Sequence, residues 1–241
     1  MRIALLSDIH GNLIALETIL ADLETASPDA VICLGDVVVT GPQPRQVIAQ
    51  LRELHWPMVM GNTDAWLLDP QPWDATDEES QQLEVIELWG ASLMTEEDLA
   101  FIETFQPTFT VDMGEDHTLL CYHGSPHANT DFIGPTTPEE ELKIKLAGYQ
   151  AEVMAGGHTH QQMLRRYQGS LLINPGSVGL PYQNVDGQTH NPTWAEYALV
   201  SNDAGNLQVE FRRVPVDLAA LTTAVRTSGM PNADWWLKDW G

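Results

Sequence analysis

Short apolar runs alternate with amphipathic stretches through the first 60 residues, and each run ends in a polar cluster that contains Gly. Runs of this length bounded by turn-forming residues read as strands, and apolar residues three and four apart read as one face of a helix. Arg2 to Ser7 is accordingly a strand, and Leu13, Leu16, Leu20 and Leu23 mark one face of a helix with Asn12 as its N-cap. Val31 to Leu34 gives a second strand, and Val47, Ile48, Leu51 and Leu54 a second helix opened by Pro44. Pro57 to Met60 reads as a third strand. Strands followed by helices in this order predict a parallel sheet, hence an α/β fold.

Residues 65 to 107 interrupt the rhythm with two helices, one around Glu79 to Trp89 and one opening at Thr95. Thr95 and Asp98 form a variant capping box, and Leu99, Ile102 and Phe105 supply that helix with a buried stripe. Thr108 to Val111 and Thr118 to Tyr122 read as strands joined by a turn at 113–116, and a helix from Glu139 to about Ala147 leads to a strand at Val153 to Ala155. Further strands are expected at Leu171 to Ile173, Tyr197 to Val200 and Leu207 to Val214, with a helix at Leu218 to Arg226. No Pro/Gly/Ser linker separates these parts, so residues 1–241 are expected to form a single domain with a helical insertion at about 65–107.

Composition narrows the function classes. Lys and Arg number 11 against 34 Asp and Glu, a formal charge of −23, and 20 of the 34 acidic residues lie between Arg52 and Lys143, where no basic residue occurs. Long nucleic acid held by phosphate contacts needs clustered Lys and Arg and is not an expected partner. Both cysteines, Cys33 and Cys121, sit in apolar runs as small hydrophobes rather than in a disulfide framework. No stretch approaches the roughly 18 apolar residues of a membrane span, and the apolar run at the N-terminus is too short for a signal peptide, so a cytoplasmic protein without a membrane partner is expected.

The chemistry lies at strand ends. Asp8 and His10 follow the first strand, and in an extended chain both point to one side. Asp36 follows the second strand 28 residues later, and Asn62 the third after a further 26. These intervals suit successive βα units, which bring the C-terminal ends of neighbouring strands together. His123 follows the Leu119 to Tyr122 strand, and His158 and His160 repeat the two-residue spacing after Val153 to Ala155. Each residue alone has a plainer reading as a cap, a turn or a hydrogen-bonded histidine. Together, two Asp, one Asn and four His make a mixed N/O set suited to two divalent transition ions, with Asp36 as the bridging carboxylate. Such a bridge holds ions roughly 3.5–4 Å apart, close enough to polarise one hydroxide and clamp a phosphoryl group for in-line attack.

At these residues the chain resembles the calcineurin-like metallophosphoesterase family. The family pattern runs Asp-x-His, Gly-Asp, Gly-Asn-His-Asp/Glu, His and Gly-His-x-His. It stands here as Asp8-Ile9-His10, Gly35-Asp36, Gly61-Asn62-Thr63-Asp64, His123-Gly124 and Gly157-His158-Thr159-His160. Asn174-Pro175-Gly176-Ser177 and the Thr95 to Leu99 helix opening extend the resemblance to its small bacterial, phosphodiesterase-type branch. The resemblance implies a two-sheet αββα sandwich. It also implies one metal on Asp8, His10, Asp36 and His160 and another on Asp36, Asn62, His123 and His158. The ions would be Mn, with Fe, Zn, Ni or Co as alternatives. The implied activity is hydrolysis of a phosphodiester or nucleotide-type substrate, a small phosphorylated molecule, by a metal-bridging hydroxide.

Thr63 departs from the pattern, because a threonine hydroxyl cannot act as a general acid near neutral pH where the family carries His. His127 is the candidate for the missing proton, against its plainer reading as an exposed loop histidine. Asp64, which would orient the family His, is left to accept hydrogen bonds behind the ligands or to cap the turn. Arg45 could reach a phosphate or stand solvated on a helix. Trp66, Trp73 and Trp89 could line a lid that stacks a base or pack the insertion onto the sandwich. Trp235, Trp236 and Trp240 pose a choice between a docked tail and an oligomer contact. The alternatives are a protein phosphatase, a dinucleoside polyphosphate hydrolase and, outside enzymes, an interaction scaffold.

Overall fold

The computed structural model describes residues 1–241, with the side chain of Val185 left aside. The first half runs β1 (Arg2–Leu6), α1 (Leu13–Ala26), β2 (Ala30–Cys33), α2 (Pro44–Leu54), α3 (Asn62–Leu67), α4 (Glu78–Ser92), α5 (Glu96–Ile102), β3 (Phe109–Gly114) and β4 (His117–Cys121). The second runs α6 (Glu139–Lys145), β5 (Val153–Ala155), β6 (Met163–Tyr167), β7 (Ser170–Asn174), β8 (Gln183–Val185), β9 (Gln188–His190), β10 (Trp194–Asp203), β11 (Asn206–Pro215), α7 (Leu218–Thr227) and α8 (Ala233–Leu237).

Two main sheets result, ordered β11-β10-β1-β2 and β3-β4-β5-β7-β6, with β8-β9 as a separate hairpin. Strand alternation decides which faces meet. Ile3, Leu5, Ile32 and Leu34 point inward and pack against Leu119, Cys121, Val153, Ala155 and Ile173 of the second sheet. Their alternates, Ala4, Leu6 and Cys33, pack against Leu16, Ile19 and Leu23 of α1 and Val47, Ile48 and Leu51 of α2. On the far side, Leu120, Met154 and Leu172 meet Leu142 of α6. The layers are therefore helix, sheet, sheet, helix, as the family resemblance implies. β1 and β2 are parallel, as are β4, β5 and β7, so both groups send their C-terminal ends to one edge.

Several sequence expectations need correction. The third strand narrows to single parallel bridges, Met58 with Cys33 and Val59 with Gln106. Pro57 has no N–H to donate and the segment is short, but it still lies beside β2. A helix, α3, starts at Asn62, ahead of the expected insertion. The strand β6, the β8-β9 hairpin and the terminal helix α8 lie where no element was expected. Among the described residues, no helix is long and apolar enough to cross a membrane.

Candidate metal centre

The chain after β1 is not extended. Asp8 and His10 have φ of +57° and +47°, and Asp36, His158 and His160 share this left-handed geometry at +55°, +65° and +56°. Such positions cost of order 1–3 kcal/mol each for non-glycine residues and persist only where surrounding structure fixes them. Here the loops lock one another. Asp8 N–H donates to Gly35 O, His10 N–H to Asp36 O and Gly157 N–H to His123 O. Ser177 Oγ–H donates to Asp8 O at 2.7 Å, and Asn174 Nδ2–H to Gly157 O at 2.6 Å, so the Asn174–Ser177 segment fastens two ligand loops together. Glycine is required at Gly61, where a Cβ would stand 2.1 Å from Asp36 Oδ1, and at Gly157, where it would stand 1.9 Å from Ser7 Oγ.

Six of the seven expected ligands form two groups, Asp8 with His10 and His160, and Asp36 with His123 and His158, with ligand atoms inside each group within 4.8 Å of one another. Asn62 adds its Oδ1 to the second group, 3.3 Å from Asp36 Oδ2, 3.1 Å from His123 Nε2 and 2.8 Å from His158 Nδ1. Asp36 joins the groups, since its Oδ2 is 3.3 Å from His123 Nε2 and 3.9 Å from His10 Nε2.

The hydrogen-bond chemistry of these atoms fits cations. His10 Nδ1 faces Val39 O, His123 Nδ1 faces Leu34 O and His160 Nδ1 faces Leu180 O, at 3.1, 2.7 and 2.8 Å. A carbonyl only accepts, so each Nδ1 carries the proton, and the neutral ring turns an Nε2 lone pair inward. Thus His10 Nε2 and His160 Nε2 face each other at 3.0 Å as two acceptors. Asp8 Oδ1 is buried without a hydrogen-bond partner, 3.3 Å from His160 Nε2. The Asn62 oxygen likewise faces only acceptors; turned over, its amide would donate to the same three atoms. Acceptors converging on one another are what a divalent ion needs and what an apolar or neutral filling would leave unsatisfied.

Without an ion, protons take its place. Burial works against a charged His123, but the Asp36 charge and hydrogen bond outweigh it and lift His123 to about 10. Burial also opposes the Asp36 carboxylate, and the charges of His123 and His10 overcome it and hold Asp36 well below the usual range. Burial and the charge of His160 push His10 down to about 4.

Asp64 does both things open to it. Its Oδ2 accepts from Asp36 N–H at 2.7 Å and Gly61 N–H at 3.1 Å, and its Oδ1 from Val37 N–H at 3.0 Å. It caps α3 and clamps the backbone that carries Asp36. Burial and the Asp36 charge push its carboxyl up to about 7 against those three donors. Thr63 N–H donates to Asp36 Oδ1 at 2.9 Å, and Thr63 Oγ1 is buried with no hydrogen-bond partner.

The two groups open into a cavity of about 350 Å³ lined by His10, Asp36, Asn62, Thr63, His158 and His160. His127 is not brought there. Its exposed ring bonds through Nε2 to Ala147 O at 2.7 Å and packs edge-on to Tyr149, while its backbone N–H donates to Ser125 Oγ. Arg45 is exposed on α2 and does not line the cavity either. Of the tryptophans in the insertion, Trp66 packs on the helix side of the first sheet and Trp89 on the C-terminal helices, while Trp73 is exposed. The aromatic wall comes instead from Trp235, Trp236 and Tyr182, so the tail docks over the centre. The insertion contributes Leu83 and Glu87. Of these cavity residues the sequence singled out Trp235 and Trp236, together with Trp240, as a docked tail or an oligomer contact, whereas Tyr182, Leu83 and Glu87 carried no signal.

A family model described as the calcineurin-like phosphoesterase superfamily domain matches residues 1–203. The chain belongs to the calcineurin-like phosphoesterase superfamily. Over 98% of its length and 96% of the relative's, this phosphoesterase is 24% identical to the uncharacterized protein MJ0912 of Methanocaldococcus jannaschii. Among solved structures it is similar to a metallophosphoesterase from Sphaerobacter thermophilus, with 26% identity, 99% and 97% of the two chains covered and a TM-score of 0.76. Protein PH1004 of Pyrococcus horikoshii OT3 shares the fold at a TM-score of 0.80 and 20% identity, over 98% of this chain and 96% of that one.

Proposed function

We propose that the protein is a dinuclear metal-dependent phosphodiesterase acting on a small substrate with an apolar or aromatic group, such as a nucleotide-type ester. The observation that carries this reading is the cavity lining. Trp235, Trp236, Tyr182, Leu83 and Leu180 form its apolar part, Glu87 and Asp239 add acid, and no Lys or Arg is among the residues that line it. A phosphomonoester or polyphosphate brings two or more negative charges and calls for cationic side chains besides the metals. A diester brings one, which two divalent ions can balance.

Asp8, His10, Asp36 and His160 would hold one ion, and Asp36, Asn62, His123 and His158 the other. When bound, divalent ions supply Lewis-acid polarisation of a phosphoryl oxygen and a more acidic water. The protein supplies orientation. Carbonyls fix three imidazole tautomers, Asp64 fixes the Asp36 backbone, and the unpartnered Thr63 hydroxyl donates to a phosphoryl oxygen.

Initial rates of Mn²⁺-loaded protein on bis-p-nitrophenyl phosphate and p-nitrophenyl phosphate test the reading. Both release the same good leaving group, so a missing proton donor masks neither activity. A diester preference of at least tenfold is expected. A monoester preference would move the reading to phosphatases, and silence on both would leave a metal-stabilised scaffold.

A further inference from the structure

Thr63 leaves the centre without the histidine that would protonate a leaving oxygen, and His127 faces α6. One other acid stands inside the cavity in a built environment. Glu87 on α4 lines the same cavity as Asn62, Thr63 and His10. Its Oε1 accepts from Thr40 Oγ1 at 3.1 Å, and its Oε2 makes no hydrogen bond among the described residues.

The placement is held by backbone strain and close packing. Thr40 has φ of +89°, an outlier for a β-branched residue. It follows Val39, whose carbonyl fixes the His10 ring. Gly90, one turn after Glu87 on α4, lets the helix sit on Val39, since a Cβ there would stand 3.2 Å from Val39 Cγ1. The strained loop that orients a metal ligand therefore also orients this carboxyl.

We propose that Glu87 is the general acid of this centre, giving its proton to the departing alkoxide of a phosphodiester. The proposal rests on the phosphodiesterase reading above. In the balanced step, water oxygen bonds to phosphorus and the bond from phosphorus to the ester oxygen breaks. The bonding pair goes to that oxygen, which takes the Glu87 proton and leaves as an alcohol. The attacking water gives up one proton to solvent as its oxygen bonds to phosphorus, and the carboxylate recovers one from solvent, so the sum is diester plus water to monoester plus alcohol.

Electrostatics agree with a protonated carboxyl in the metal-free protein. Burial, then the charges of Asp36 and Glu84, push Glu87 up to about 7 against the Thr40 hydrogen bond. The other titratable groups around the cavity are His10, His158 and His160 on the ligand loops, Tyr182 ahead of β8 and Asp239 after α8.

Glu87→Gln keeps an oxygen for the Thr40 hydroxyl and removes the proton. Metal-loaded wild type and variant are compared on bis-p-nitrophenyl phosphate, whose leaving group needs no proton, and dibenzyl phosphate, whose alkoxide does. On dibenzyl phosphate the expected loss of kcat is about 10²–10⁴-fold, and on bis-p-nitrophenyl phosphate less than about threefold. Metal content should be unchanged. The alkaline limb of the wild-type pH profile on dibenzyl phosphate should be absent from the variant. In metal-free protein, ¹³C-carboxyl NMR should show a Glu resonance titrating well above the usual carboxylate range that the variant lacks.

Equal losses on both esters, a wild type that cleaves only the activated ester, or no such Glu resonance would overturn the proton-donor role while leaving the phosphodiesterase reading intact. A wild type silent on both esters would overturn that reading and the proposal with it.

Discussion

Asp64 Oδ2 accepts the backbone N–H of Asp36 at 2.7 Å, so a residue that lines no part of the cavity fixes the backbone behind the carboxylate shared by both groups. Gly61 N–H and Val37 N–H complete the clamp. In Asp64→Asn only one amide oxygen remains for three donors, and the NH₂ group is turned toward N–H groups. Metal affinity should fall about 10–100-fold, as expected when a supporting partner of a ligand is lost. Calorimetric titration with Mn²⁺ checks this; wild-type affinity would assign Asp64 to capping alone.

Gly61 offers a second handle on the same carboxylate. In Gly61→Ala the new methyl would overlap Asp36 Oδ1, so either Asp36 or the start of α3 must move. A stability loss of roughly 1–3 kcal/mol is expected for such overpacking. Thermal unfolding should show it as several degrees of Tm, and bound metal should drop below one ion per chain.

Removal of metal should change the pH behaviour in a defined direction. In the metal-free protein His123 titrates near 10, above the value of about 6.5 for a free imidazole. Its contribution to stability is complete below about 6.5 and is lost as pH rises through about 10. Asp36, held below the usual range, contributes above about 4 and loses that contribution as pH falls further. At pH 7 an ion entering beside Asp36 must displace the His123 proton, so Mn²⁺ binding should release about one proton per chain. Calorimetry in two buffers of different ionisation enthalpy measures this. Identical heats in both would show that His123 is neutral before the ion arrives.

Trp235 tests the aromatic wall. Trp235→Ala should raise KM for p-nitrophenyl phenyl phosphate about 3–10-fold, in line with the loss of one aromatic contact. For methyl p-nitrophenyl phosphate, which has the same leaving group and no second ring, KM should change less than about twofold. Equal changes on both would place the aromatic contact elsewhere. Trp236 is a poorer probe, because it is buried with Leu221, Val225 and Ile86, and its truncation would cost about 3–5 kcal/mol of stability.

The order Asp8, His10, Asp36, Asn62, His123, His158, His160 was legible in the sequence because each residue follows a local apolar run. The apolar runs of β1 and β2 did not tell which residues face the second sheet and which face the helices, because every position in both is buried or half-buried. Local pattern did not reveal that Asp8, His10 and Asp36 take left-handed backbone, since that geometry comes from other loops pressing on them. It did not reveal that Pro57 to Met60 would pair only through single bridges, because the pairing depends on what Gln106 offers from across the chain.

The donor set of the candidate centre could be read along the chain, since ligand chemistry belongs to residue type and the spacing follows the βα rhythm. Tertiary structure alone decided what surrounds those atoms. Glu87, Tyr182, Trp235 and Trp236 come from three distant segments and meet only because α4, the β8-β9 region and the tail dock over one sheet edge. His127, adjacent in sequence to a ligand loop, turns away because a carbonyl at Ala147 takes its ring nitrogen. Proximity along the chain governs periodicity and caps, whereas the walls of a cavity are set by long-range packing that no short window of sequence contains.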